Sequence, residues 1–107
     1  MWFSALFQRH RPRLDHLTVH LYTRGGCHLC DEAWALLEEV QGRFGFVLTA
    51  VDIDTNSELA RQYGMCVPVV TVNGKVRFRG KVNPVLLERL FAAERRFGTN
   101  QGLVTRD

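Results

Sequence analysis

No stretch of this 107-residue chain stays apolar for the roughly 20 residues a membrane-crossing helix needs, so stable membrane insertion is not expected. Cysteines number only three. An odd set would leave one thiol unpaired in a secreted disulfide framework, which favours a reducing compartment. The opening Met1-Trp2-Phe3-Ser4-Ala5-Leu6-Phe7 has no basic region ahead of a short apolar core, so it reads poorly as a signal peptide. A cytoplasmic address is the expectation. Internal repeats and low-complexity tracts are absent, leaving one domain of ordinary size. No extended run interleaves basic residues with aromatics, so nucleic acid is not expected as a partner. One C-x-x-C is present, but no second C-x-x-C or H-x3-H follows to complete the four ligands of a zinc site.

What is present is a globular composition, 46% apolar with near-zero mean hydropathy. The net charge of +3 is unevenly spread. Residues 17–74 carry three arginines against seven acids, whereas residues 75–107 carry eight basic side chains against three acids. Such asymmetry suits an acidic partner or simply a solvated surface.

The chain is organised around Thr23-Arg24-Gly25-Gly26-Cys27-His28-Leu29-Cys30-Asp31. Alternating Leu17-Thr18-Val19-His20-Leu21-Tyr22 before it predicts a strand. Helical spacing through Ala33, Leu36 and Val40 after it predicts a helix over about residues 28–41. Cys27 therefore sits where a strand hands over to a helix, and unpaired N–H groups together with the helix dipole would stabilise a thiolate there. The i, i+3 spacing puts Cys30 one turn on, close enough for a small disulfide ring. Dithiol redox chemistry, a metal site and an inert pair are the three readings of this motif.

Residues 46–53 are nearly all apolar, which predicts a central strand covered on both faces. Thr55 and Glu58 have capping-box spacing ahead of a short helix carrying Leu59, Ala60 and Tyr63 and stopping at Gly64. Val67–Val72 predicts a third strand with Pro68 at its start, where a cis bond is plausible. Asn73-Gly74 signals a hairpin into Lys75–Gly80, whose period-two alternation predicts one wet face shared by Lys75, Arg77 and Arg79. Asn83-Pro84 caps the last helix, with Leu86, Leu87, Leu90, Phe91 and Phe97 on one stripe. Trp34, Phe44, Phe46 and Phe91 are expected in the core. The divisions are an extension over 1–16, with an apolar face at Trp2, Phe3, Leu6 and Phe7, a domain over 17–98, and a polar tail over 99–107.

The order β-α-β-α-β-β-α, the strand leading through Tyr22-Thr23-Arg24 to Cys27-His28-Leu29-Cys30, then Cys66-Val67-Pro68 and Val72-Asn73-Gly74-Lys75, together resemble a glutaredoxin-like protein of the thioredoxin-fold superfamily over residues 17–97. The resemblance implies an α/β fold, a four-stranded mixed sheet flanked by helices. It also implies a thiol–disulfide oxidoreductase in which Cys27 attacks a disulfide and Cys30 resolves the mixed disulfide. Val67 would pair its backbone with a bound thiol or peptide, cis Pro68 would hold that backbone near the sulfurs, and Arg24 would meet a glutathione carboxylate. No resident cofactor or metal is implied; glutathione enters only as a reductant. Residues 79–83, Arg-Gly-Lys-Val-Asn, lack the second glycine and the acid that receive its γ-glutamyl amino group. The substrate would be a disulfide-containing protein or small-molecule thiol, met by a monomer. His28 modulates the thiolate or merely faces solvent; Cys66, where threonine is usual, is an alternative disulfide partner, a metal ligand or an inert buried thiol. A metal or iron–sulfur carrier using Cys27, Cys30 and Cys66 is the alternative function.

Overall fold

A computed structural model describes residues 13–97. Expectations for residues 1–12 and 98–107, including the apolar face at Trp2–Phe7 and the polar tail, lie outside the described residues. The elements are β1 (Thr18–Thr23), α1 (His28–Phe44), β2 (Val47–Asp52), a 3-10 turn (Ile53–Thr55), α2 (Ser57–Tyr63), β3 (Val69–Val72), β4 (Lys75–Arg79) and α3 (Pro84–Phe97). This is the expected β-α-β-α-β-β-α order of a thioredoxin fold, with one mixed four-stranded sheet.

The strand order is β2-β1-β3-β4. β2 runs parallel to β1, as a helical crossover requires, while β3 runs antiparallel to β1 and β4 antiparallel to β3. The chain therefore stays at one end of the sheet between Ile53 and Pro68, its seven-residue α2 too short to carry it back for another parallel strand. That end also receives the C-terminus of β1. Since Tyr22 pairs with Val69, the Val67–Pro68 step lies beside the loop that follows Thr23.

Two expectations about burial are corrected here. β2 is an edge strand rather than a central one, with Val47 46% exposed. The strand covered on both faces is β3, where all four residues are buried. In β4 the period of two is broken by a bulge at the register shift between Val70 and Thr71, where the β4 partners step from Phe78 to Val76. Val76 packs with Ile53, Tyr63 and Val69, whereas Phe78 packs on the opposite side with the main core. Two residues apart on a regular strand would share a face; the extra residue, Arg77, prevents it. Lys75, Arg77 and Arg79 thus do not line one face.

The main core lies between the sheet and helices α1 and α3, built from Leu17, Val19 and Leu21 of the first strand region, Ala33, Leu37, Val40 and Phe44 of α1, and Leu87 and Phe91 of α3. Leu14, assigned to the extension on sequence grounds, is 2% exposed in this cluster, and its N–H donates to the Phe44 carbonyl at 2.8 Å. The expected stripe on α3 spans an arc of about 140° at roughly 100° per residue, wider than the contact it makes. Leu87 and Phe91 are fully buried, but Leu86 and Phe97 at the far side of the arc are 51% and 62% exposed.

Local signals explain the element ends. Gly45 takes the left-handed conformation that closes α1, its N–H donating to the Gln41 carbonyl. Asn73 and Gly74 both have positive φ, as a two-residue hairpin requires. The Asn73 side chain also accepts from the Thr18 N–H at 2.8 Å, and the Asn73 N–H returns a bond to the Thr18 carbonyl. The cap of α2 is Asn56, whose Oδ1 accepts from the N–H groups of Glu58 and Leu59. Thr55, expected in that role, instead donates its hydroxyl to the Asp52 carbonyl. Asn83 caps α3 as expected, accepting from Val85 and Leu86. Among the described residues no helix is long and apolar enough to cross a membrane.

Candidate active site

Cys27 is the N-cap of α1, in an extended backbone conformation that turns the chain from the Gly25-Gly26 loop into the helix. Its Sγ accepts from the Cys30 N–H at 3.1 Å, one of the orphan donors of the first helical turn. Cys27 and Cys30 are joined as a disulfide with Cα atoms 5.2 Å apart. Their exposure differs: Cys27 is half-buried at the surface, Cys30 is 1% exposed. The helix thus presents one sulfur outward and holds the other beneath it. A cleft of about 240 Å³ reaches Cys30 from the β2 side, lined by Leu21, Thr23, Asp31, Trp34 and Ala50. Trp34, expected in the core, is only partly buried and forms part of this cleft.

The Val67–Pro68 peptide is cis, as the sequence suggested. The Gly80 N–H donates to the carbonyls of Cys66 (3.0 Å) and Pro68 (2.8 Å), so the backbone of Val67 lies between two tied carbonyls. Cys66 is a free, half-buried thiol packed against the Ile53, Tyr63 and Val69 cluster. Among the described residues no group of three His, Cys, Asp or Glu side chains is arranged to hold a metal ion.

The structure gives Arg24 and His28 partners that spacing did not reveal. Arg24 donates from Nε and Nη2 to both carboxylate oxygens of Asp54, at 3.2 and 2.7 Å, and from Nη1 to the Gly64 carbonyl at 2.9 Å. It ties the cysteine loop to the 3-10 turn and to the end of α2. Any carboxylate ligand would share this guanidinium with Asp54. His28 is 86% exposed, and its Nε2 faces Glu32 Oε2 at 3.2 Å along the helix. Parallel pairing of β1 with β2 puts their C-terminal ends side by side, which is the signal by which Asp54 was findable.

The Arg24 guanidinium, by hydrogen bond and charge, holds the Asp54 carboxyl below the usual carboxylate range, and the Arg24 pKa rises in turn. A carboxyl depressed in the folded state contributes stability that is present above its unfolded value and lost as pH falls through the folded one. Asp54→Asn is therefore expected to lower the urea midpoint at neutral pH. The gap from the parent chain should close on acidification to about pH 3 and below. A constant gap across that range would show that the pair is not its source.

With this geometry in place, comparison with known proteins gives a consistent answer. The glutaredoxin-like domain (DUF836) matches residues 18–92. A probable thioredoxin of Methanothermobacter thermautotrophicus is 33% identical over 67 residues, covering 60% of this chain and 79% of that protein. The uncharacterized protein Rv0508 of Mycobacterium tuberculosis is 32% identical over 62 residues, 53% of this chain and 64% of that one. Among solved structures, the protein Ne2328 of Nitrosomonas europaea superposes with a TM-score of 0.61 at 30% identity, covering 69% of this chain and 89% of that chain. Target XcR50 of X. campestris gives 0.60 at 28%, covering 70% and 96%. The oxidised thioredoxin of Plasmodium falciparum, at 20% identity and a TM-score of 0.56 over 85% and 91%, shares the fold. Family, fold and a cysteine pair at disulfide distance together support a thiol–disulfide oxidoreductase. The chain belongs to the glutaredoxin-like domain family (DUF836), built on the thioredoxin fold.

Proposed function

We propose that this protein reduces disulfides with Cys27 as nucleophile and Cys30 as resolving thiol. The observation that carries the reading is the Cys27 sulfur at the N-cap of α1, receiving the Cys30 N–H while Cys30 itself is buried. In the dithiol form, that N–H and the helix dipole favour the Cys27 thiolate over the thiol. The thiolate attacks one sulfur of a substrate disulfide, forming a mixed disulfide and expelling a substrate thiolate that takes up a proton. Cys30 then gives up its proton, for which the cleft walled by Asp31 offers a path, and attacks Cys27 Sγ. The second substrate thiol leaves, and the Cys27–Cys30 disulfide holds the oxidation. Two electrons pass to the substrate, and an external dithiol or a pair of glutathione molecules returns them. The Val67–Pro68 step, beside the loop that follows Thr23, offers backbone to a bound substrate chain. A monomer in a reducing compartment such as the cytoplasm suits this cycle. The test is stoichiometric reduction of a protein disulfide by the dithiol form, together with the reduction potential of the pair against glutathione and against thioredoxin. A pair that neither reduces nor equilibrates with either would rule the reading out.

Glutathione is expected to bind weakly. Lys81 lines a groove with Leu29, Glu32, Ala33, Leu36, Val82 and Pro84, next to the redox loop, so a cation stands where the γ-glutamyl ammonium would arrive. The acid in that groove, Glu32, has its Oε2 3.2 Å from His28 Nε2. One missing charge-assisted hydrogen bond is worth about 1.5–3 kcal/mol, or roughly ten- to hundredfold in affinity. Asn83→Asp keeps the oxygen that caps α3 and adds the missing charge. Calorimetric titration should show tighter glutathione binding by about tenfold in that variant. Tight binding by the parent sequence would contradict this expectation.

A further inference from the structure

A second groove, of about 370 Å³, runs between β4 and α3 and is lined by Arg77, Phe78, Leu86, Arg89, Leu90 and Ala93. We propose that it docks an acidic, amphipathic segment of a partner protein.

The bulge in β4 makes the groove. Without it Arg77 and Phe78, adjacent in sequence, would point to opposite faces of the sheet. With it both line the side that faces α3. Bulges re-aim side chains in this way. On α3, the core takes Leu87 and Phe91 and leaves Leu86, Arg89, Leu90 and Ala93 towards β4. The floor is therefore apolar, with Leu86 51% exposed. Every charge on the lining is positive. Among the described residues neither Arg77 nor Arg89 has a carboxylate partner, although Arg24, Arg43 and Arg61 all do.

Two arginines rimming an apolar trough match a helix that carries aliphatic residues at i, i+3, i+4 and i+7 with carboxylates alongside. The trough is open to solvent, with a volume at the lower end of the roughly 300–1,000 Å³ typical of ligand sites. The groove is separate from the one beside Leu29 and lies on the other flank of α3, so a partner seated there leaves the Cys27 sulfur free.

The test uses the full chain, labelled with nitrogen-15 and titrated with a synthetic peptide bearing leucine at those four positions and glutamate elsewhere. Saturable shifts confined to Phe78, Leu86, Arg89, Leu90 and Ala93 are expected. Dissociation constants should rise at least tenfold in R77E/R89E and in L86D, and added salt should weaken binding. Both variants should still reduce a small disulfide at the parent rate, because neither touches the sulfurs. L86D changes an exposed residue and decides the matter if R77E/R89E fails to fold. The proposal is overturned by equal binding of the peptide with lysine in place of glutamate, or by shifts elsewhere or none. It is overturned equally by R77E/R89E and L86D binding as the parent does, by preferential binding of phosphatidylserine vesicles, or by self-association that buries the same residues.

Discussion

Cys27→Ser is expected to bring disulfide reduction down to background, while Cys30→Ser stops the reaction halfway and accumulates a mixed disulfide with the substrate. The two outcomes differ because the two sulfurs differ in position, not in chemistry. Cys27 is at the helix cap, reachable and in contact with an N–H donor; serine there keeps the cap but supplies no thiolate. Cys30 is shielded to 1% exposure and meets a partner only when Cys27 has already formed a bond to it. Alkylation of the reduced protein against pH gives an independent reading. Cys27 should react first, with half-maximal rate below the roughly 8.5 of a free thiol, and Cys30 only slowly. Residual turnover in Cys27→Ser, or faster alkylation at Cys30, would reverse the assignment.

The largest effect on stability is expected from Phe91→Ala. Phe91 is fully buried, stacks on Phe46 with ring centroids 4.3 Å apart and tilts against Phe44 at 5.9 Å. Removing the ring deletes its transfer free energy and leaves a cavity where α3 meets the sheet, a loss of about 3–5 kcal/mol. Against a total of roughly 5–15 kcal/mol for a domain, this removes from about a fifth to all of the stability. Urea denaturation should show a sharply lower midpoint with an unchanged slope. Phe97→Ala, on the same helix but 62% exposed, should move the midpoint little, within about 0.5 kcal/mol. Similar losses at the two positions would mean that α3 is not anchored through Phe91.

The sequence made the element order, the Asn83 cap, the Asn73-Gly74 hairpin and the placement of Cys27 legible, because each depends on a few neighbouring residues. What it hid depends on neighbours far along the chain. An apolar run is the same string whether its strand is central or at an edge, so β2 was read as central while β3 holds that place. A bulge is a mismatch between two strands, and β4 alone reads as regular. Thr55 and Asn56 are both competent caps; the Asp52 carbonyl, by claiming the Thr55 hydroxyl, selects Asn56. In the candidate site, Arg24 was legible as a cation near the sulfurs, but its pairing with Asp54 spans thirty residues. The resemblance placed a ligand carboxylate where the protein has one of its own.

The two bonds between Asn73 and Thr18 fasten the β3–β4 hairpin turn to the first residue of β1, across 55 positions of chain. A hairpin at the edge of a sheet usually frays from its tip on its own, at small free-energy cost. Here the tip cannot lift without also freeing the start of β1, which is paired on its other side to β2. Amide protons at Thr18 and Asn73 should therefore exchange with solvent in the same opening event. The hairpin becomes part of the slow-exchanging body of the sheet, and fast exchange is left to exposed loops such as the one before Cys27.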